Sequence, residues 1–264
     1  IDTHCHLSMV SDENKNIDYE QLDEILEQMK INNVTHAICM GGNLHDSKVV
    51  VEIASKYNNI YCAVGVHPED VDAVTDDAFI DLEDLIKKNL NNGKIVAIGE
   101  IGLDYHHPGN PKTQKKWFVE QLKLAKKLNM PVCIHSREAE KDTLDILKNN
   151  GQWKGVIHCY AYGKKTMEEL VKLGYYFGVG GTCTYSNNKE LREAVKYMPL
   201  DRIVLETDCP YLTPSAYGKK RNDSAKISAV ISEIAKMKGI TEEEVIKQTN
   251  ENLTFYKNYT TFTK

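Results

Sequence analysis

No stretch of this 264-residue chain approaches the roughly 18 to 20 apolar residues of a membrane-spanning helix, and no secretory leader precedes the first charged residues. No surplus of positive charge is present either: 33 Lys and Arg face 38 Asp and Glu, for a net charge of -5. A protein that coats nucleic acid needs clustered cations, so any such contact here must be local. Disulfide spacing and C-x-x-C pairs are absent as well. The seven cysteines, Cys5, Cys39, Cys62, Cys133, Cys159, Cys183 and Cys209, are odd in number and sit mostly in apolar runs. They read as reduced thiols of a cytoplasmic protein, which excludes a disulfide scaffold or a zinc finger. The chain starts at Ile1 and not at Met, which leaves room for a removed leader. Gly-rich dinucleotide fingerprints, internal repeats and long Pro/Gly linkers are also missing, so residues 1–264 read as one domain.

What is present is alternation. Short runs rich in Val, Ile, Ala and Cys predict strands at Ile1 to His6, Thr35 to Met40, Ile60 to Val66, Ile95 to Glu100, Pro131 to His135, Val156 to His158, Tyr175 to Val179 and Ile203 to Glu206. Amphipathic Lys- and Glu-rich stretches between them predict helices at Tyr19 to Ile31, Ser47 to Tyr57, Asp77 to Leu90, Lys112 to Leu128, Glu138 to Lys148, Lys165 to Leu173, Lys189 to Tyr197 and Ser224 to Lys238, with a last one at Glu242 to Asn252. Strand followed by helix, eight times over, predicts an α/β fold of the TIM type, a (β/α)8 barrel. An open doubly wound sheet is the alternative.

His4 and His6 are separated by one residue on the opening strand, so they share a face while Cys5 takes the other. Neutral imidazole is the commonest side-chain metal ligand. In a barrel the chemistry sits at the C-terminal ends of the strands, and the polar residues collect there: His4 and His6 after the first, His67 after the third, Glu100 on the fourth, His135 on the fifth, His158 on the sixth and Asp208 after the eighth. Even without His67, four histidines and two carboxylates exceed the needs of one tetrahedral ion, which points to two divalent ions sharing a carboxylate. His36 and His45 suit an element start or a surface; His106 and His107 are left without a role. Mixed imidazole and carboxylate donors accept Zn, Mn, Mg, Co or Ni.

The motifs D-T-H-C-H at Asp2 to His6, G-V-H-P at Gly65 to Pro68, G-E-I-G-L-D-Y at Gly99 to Tyr105, H-S-R at His135 to Arg137, H-C at His158 and Cys159 and E-T-D-C-P-Y at Glu206 to Tyr211 resemble, in order and over the full length, the TatD-type metal-dependent deoxyribonucleases. Arg221-Asn222 and the closing Asn250 and Asn252 extend the resemblance. It departs at Asp223-Ser224, where Glu-Pro is usual, and at Tyr160-Ala161-Tyr162, where Phe-Ser is usual after the histidine. The resemblance implies a two-metal hydrolase in which His4, His6 and Asp208 hold one ion, His135 and His158 the other, and Glu100 bridges them. It also implies removal of nucleotides from the 3′ side of DNA.

On that reading Asp208 orients or deprotonates a water activated between two metals, Glu100 keeps them close, and His67 stands behind the ligands or touches substrate. Arg137, beside ligand His135, and Lys219 to Arg221 with Asn222, in the loop after Asp208, suit phosphate groups. Tyr105, Tyr160, Tyr162, Tyr185, Tyr211 and Tyr217 fall in or near rim loops where unpaired bases can stack. The expected substrate is DNA, or RNA, and the alternative is an ester hydrolase acting on a D-aminoacyl-tRNA or a lactone at the same site; no membrane and no obligate protein partner is expected.

Overall fold

Strands without a polar face must be covered on both sides, and the apolar runs of this chain are. The computed structural model describes residues 1–11, 16–75, 77–150 and 153–256, so the expected domain's last residues, 257–264, lie outside the described residues. The strands are β1 Asp2–Cys5, β2 Ala37–Met40, β3 Ile60–Val64, β4 Ile95–Asp104, β5 Val132–Arg137, β6 Gly155–Ile157, β7 Tyr176–Val179 and β8 Ile203–Leu205. They form one eight-stranded sheet in sequence order, and each neighbouring pair is parallel. The segment after β8 closes it onto β1: Cys5 pairs with Cys209, His6 N donates to Cys209 O at 2.8 Å, and Asp208 N donates to His4 O at 2.9 Å. The result is the expected α/β barrel, drawn shut at the strand ends where His4, His6 and Asp208 lie.

The helices are α1 Tyr19–Ile31, α2 Leu44–Lys56, α3 Asp77–Asn89, α4 Pro111–Leu128, α5 Glu140–Asn149, α6 Lys164–Lys172, α7 Lys189–Tyr197, α8 Ile227–Lys238 and α9 Glu242–Glu251. Their starts are written locally: Asp18 caps α1, Asn43 caps α2, Asn110 precedes Pro111 of α4, and Thr241 with Glu244 forms a capping box on α9. Removing such a cap costs about 1 kcal/mol. Along β2, Ile38 and Met40 join the lumen cluster, while Ala37 and Cys39 join the cluster packed against the helices. Leu253 and Phe255, in the short turn after α9, complete the lumen cluster.

Two expectations at the site change. β4 does not stop at Glu100 but runs to Asp104, with a register irregularity between Ile98 and Ile101, so Glu100 is carried by a bulge in mid-strand. Gly102, at φ +145°, lets β4 lie against β5 so closely that a Cβ there would fall 1.9 Å from His135 O. β5 likewise continues past His135 to Arg137. Elsewhere β1, β3 and β6 stop at Cys5, Val64 and Ile157, short of the expected His6, Val66 and His158, α2 begins at Leu44 because Asn43 caps it, and Ser224–Lys226 forms a 3-10 turn ahead of α8.

Two buried glutamines of α4 fix the strand ends. Gln121 accepts from Val66 N at 2.8 Å and donates to Val66 O at 3.0 Å. Gln114 accepts from Asp104 N at 2.9 Å and donates to Asp104 O at 2.8 Å. Each satisfies a backbone pair that leaves the sheet, and an orphaned buried group of this kind costs roughly 1–3 kcal/mol. Among the described residues no helix is long and apolar enough to cross a membrane.

Candidate metal centre

Glu100 is buried at the middle of the rim, and its two oxygens face different partners. Oε2 stands 3.3 Å from His4 Nε2 and 3.9 Å from His6 Nε2. The same two nitrogens lie 3.5 and 3.1 Å from Asp208 Oδ1 and 3.3 Å from each other. A tetrahedral ion with ligand bonds of 2.0–2.1 Å sets its donors roughly 3.3 Å apart, so these four atoms outline one such shell. On the other side, Oε1 lies 2.8 Å from both His135 Nδ1 and His158 Nε2, which are 3.3 Å apart. His67 Nε2 approaches Oε1 at 3.4 Å. The chain thus brings all six expected ligands together, and His67 with them; His4, His158 and Asp208 are also within reach of one ion.

His67 differs from the ligand histidines in its back nitrogen. Its Nδ1 accepts from Glu69 N at 3.3 Å, an arrangement that suits a ring proton on Nε2, although His67 also groups with Glu100 and His135 within reach of one ion. His135 does the reverse: Nε2 lies 2.9 Å from Asp104 Oδ2, which takes the ring proton and leaves Nδ1 bare toward Glu100. His158 Nδ1 is backed by Glu206 Oε1 at 3.6 Å. That nitrogen and Glu206 Oε2 are buried without a hydrogen-bond partner among the described residues. A cation on His158 Nε2 would fix the ring proton on Nδ1, facing the carboxylate; the donor set and this buried pair both fit a metal ion.

Charge follows the same layout. Burial works against the Glu100 carboxylate, but the imidazoles of His158, His4 and His67 outweigh it and hold it well below the usual range. Asp208 is held down, against burial, by the His6 hydrogen bond. Burial lowers His4, helped by the charge of His158. His158 rises well above its ordinary value despite burial, because Glu100 and Glu206 flank it. Two of the residues here occupy left-handed backbone, Cys159 at φ 43° and Asp208 at φ 56°, a conformation costly for non-glycine residues and frequent at functional sites. Cys159 N is held there by Glu206 Oε1 at 2.6 Å.

Sequence reasoning missed Asp104, Glu206 and Asp2, all buried. The signal is strand periodicity. Asp104 stands four residues after Glu100 on the same face, Glu206 two before Asp208, and Asp2 two before His4. Asp2 accepts from Thr207 N at 3.0 Å and Thr207 Oγ1 at 2.6 Å, tying β1 to the turn that presents Asp208. Gly178 leaves the space that Glu206 occupies, since a Cβ would meet its Oε2 at 1.9 Å. His106 and His107 also gain partners: His106 Nδ1 pairs with Glu138 at 2.7 Å, and His107 Nδ1 lies 3.1 Å from Glu69 and 3.2 Å from Asp104.

The expected substrate contacts separate. Arg137 and Arg221 are exposed, and Arg221 Nη2 donates to Met9 O at 3.4 Å. Asn222 is buried, donating to Thr207 O at 2.9 Å and Tyr211 O at 2.6 Å, so its amide shapes the loop. Tyr105 donates to Asp142 at 2.7 Å, Tyr160 to Gly163 O at 2.8 Å and Tyr185 to Thr213 O at 3.0 Å. Tyr162 Oη sits 2.7 Å from Ser136 Oγ. Of the two departures from the family pattern, Asp223 caps the turn before α8 and pairs with Lys226, and Tyr160 packs edge-on against Phe177.

The family model described as TatD related DNase matches residues 1–256. The metal-dependent hydrolase YabD of Bacillus subtilis (strain 168) is 38% identical over 95% of this chain and 96% of its own length. Deoxyribonuclease TATDN3 of Homo sapiens is 33% identical, covering 96% of this chain and 92% of that protein. Among solved structures, YJJV, a TatD homolog from Escherichia coli K12, superposes with a TM-score of 0.86 at 25% identity and covers 96% of both chains.

Proposed function

The chain belongs to the TatD related DNase family of metal-dependent hydrolases, and from that premise we propose that it cleaves phosphodiester bonds of DNA from the 3′ side, preferring unpaired ends, with two divalent ions held across Glu100. The observation that carries this reading is the division of Glu100 between two donor sets, Oε2 toward His4 and His6 and Oε1 toward His135 and His158. When bound, ions at these sets supply Lewis-acid chemistry, polarising water and neutralising charge on a phosphoryl group.

The remaining work falls to the chain. Asp208 uses Oδ1 toward His6 and His4, which leaves Oδ2 to orient a water and take its proton. His67, with its Nε2 proton, suits a phosphate oxygen beside the three donors Glu100 Oε1, His135 Nδ1 and His158 Nε2. Arg137, Arg221 and the neighbouring Lys219 and Lys220 are exposed cations at the rim of an otherwise acidic chain and suit the flanking phosphates. The name of the human relative, deoxyribonuclease, supports DNA as substrate. Seven free cysteines suit a reducing, cytoplasmic setting.

The test is metal-reconstituted protein assayed on end-labelled single-stranded DNA with free or blocked 3′ ends, with RNA, D-aminoacyl-tRNA and a lactone in parallel. Stepwise release from free 3′ ends is expected. Cleavage indifferent to the block would remove the assigned polarity; turnover of only the aminoacyl or lactone ester would replace the nuclease by an ester hydrolase on the same residues.

A further inference from the structure

Of the six rim tyrosines, Tyr105, Tyr160, Tyr162 and Tyr185 spend their hydroxyls on the protein, and Tyr217 lies under Lys226 Nζ at 5.6 Å. Tyr211 spends its hydroxyl as well, on Met9, but it alone of the six is exposed. It is 51% exposed, and its ring centroid lies 6.1 Å from that of His6 at an interplanar angle of 69°. Met9, 44% exposed, extends the same apolar surface, since Tyr211 Oη donates to Met9 Sδ at 3.3 Å. The backbone beneath the ring is fixed from both sides: Tyr211 N donates to Asp208 O at 2.9 Å and Asn222 Nδ2 donates to Tyr211 O at 2.6 Å. Arg221, through Met9 O, brings a guanidinium to the edge of this surface.

We propose that Tyr211 and Met9 form a stacking subsite for one unpaired nucleobase beside His6, with Arg221 taking a phosphate flanking that nucleotide. The inference rests on the nuclease reading and adds to it the group that distinguishes a nucleotide from a bare phosphodiester. An aromatic face is offered next to a metal-ligand histidine, held rigid by its backbone and edged by a cation, which is the combination that binds single strands without reading sequence. A paired base has both faces covered by its neighbours, so the subsite selects frayed or single-stranded ends.

The experiment compares a single-stranded oligonucleotide with its counterpart carrying abasic tetrahydrofuran units at the two 3′-terminal positions, on the metal-loaded enzyme. Wild type should favour the base-bearing strand in KM by roughly ten-fold. Tyr211→Ala should abolish that preference, and Tyr211→Phe should keep it, because the ring face and not the hydroxyl does the stacking. A preference that survives Tyr211→Ala overturns the proposal. As a readout independent of turnover, a 3′-terminal 2-aminopurine joined by a methylphosphonate linkage should be quenched on binding to wild type and not to Tyr211→Ala. If wild type cleaves neither strand yet quenches the probe, the nuclease reading falls and the subsite stands. Absence of quenching by wild type rejects the subsite whatever is cleaved.

Discussion

The two donor sets that meet at Glu100 obtain their negative charge in opposite ways. At the β1 and β8 side, the carboxylates act directly: Glu100 Oε2 and Asp208 Oδ1 lie among the donors, while the back nitrogen of His4 faces only the thiol of Cys133 at 3.4 Å. At the β5 and β6 side, Glu100 Oε1 is the one carboxylate oxygen among the donors of the three-donor set, and the rest of the charge sits behind the rings, Asp104 on His135 and Glu206 on His158. A carboxylate behind an imidazole makes it a better ligand, so on the proposed two-ion reading the second set would need fewer direct anions. The lesson is that the β5 and β6 side depends on residues that never touch a cation.

Removing Glu100 breaks both sides at once. Glu100→Ala should bring activity to background and cut the metal content of purified protein, measured by elemental analysis; retained metal with retained activity would mean that the sets do not share it. Asp208→Asn strikes the β8 side alone. It keeps an oxygen donor but no base, and turnover should fall about 10² to 10⁴-fold with metal retained. Asp104→Asn and Glu206→Gln should instead weaken the affinity of one ion by about 10- to 100-fold, read by competition with a fluorescent chelator. If either variant weakens both ions equally, the division of the site into two differently charged halves is wrong.

Both sides respond to pH, since His6, His135 and His158 are all raised, against burial, by neighbouring carboxylates. Burial opposes protonation of His6, but the Asp208 hydrogen bond prevails and raises it to about 9. In chelated protein the stabilisation from this raised group is complete below the unfolded value of about 6.5 and is lost as pH climbs through about 9. A cation must displace the same proton, so metal affinity should rise across that interval. Glu100 and Asp208 are held low, and what they contribute is lost only in acid, below this window. Thermal midpoints taken from pH 6.5 to 9 with chelator and with metal should therefore draw apart; a gap that narrows would reverse the sign assigned to His6. The smallest effect belongs to the rim: Arg221→Ala should lower the slope of log affinity against log salt for single-stranded DNA by about 1.

The convergence of the six expected ligands was legible in the sequence because a (β/α)8 barrel puts strand ends on one rim, and His4, His6, Glu100, His135, His158 and Asp208 are polar residues in or next to apolar runs. What supports them was not. Asp104 was hidden because β4 was read as stopping at Glu100, whereas Gly102 lets the strand continue against His135. Asp2 sits two residues before His4 on the same face of β1 and Glu206 two before Asp208 in the turn after β8, but nothing in their spacing says whether they hold a cation or stand behind a ring. Asn222 and Tyr160 read as substrate contacts and were found tied to backbone carbonyls, a matter of loop conformation that composition does not encode. His67 is expected behind the ligands or at substrate, and its surroundings, Glu69 N on Nδ1 and Glu100 with His135 on the other side, are a matter of loop conformation that the motif G-V-H-P does not encode.

The most direct measurement is anomalous scattering from crystals grown or soaked with Mn²⁺, collected where manganese contributes strongly. Two peaks are expected on either side of the Glu100 carboxylate, one among His4, His6 and Asp208 and the other among His135 and His158, with the second keeping solvent in its coordination shell. A single peak, or two peaks of which neither is reached by Glu100, would show that the carboxylate does not join two ions and that the site works by other means.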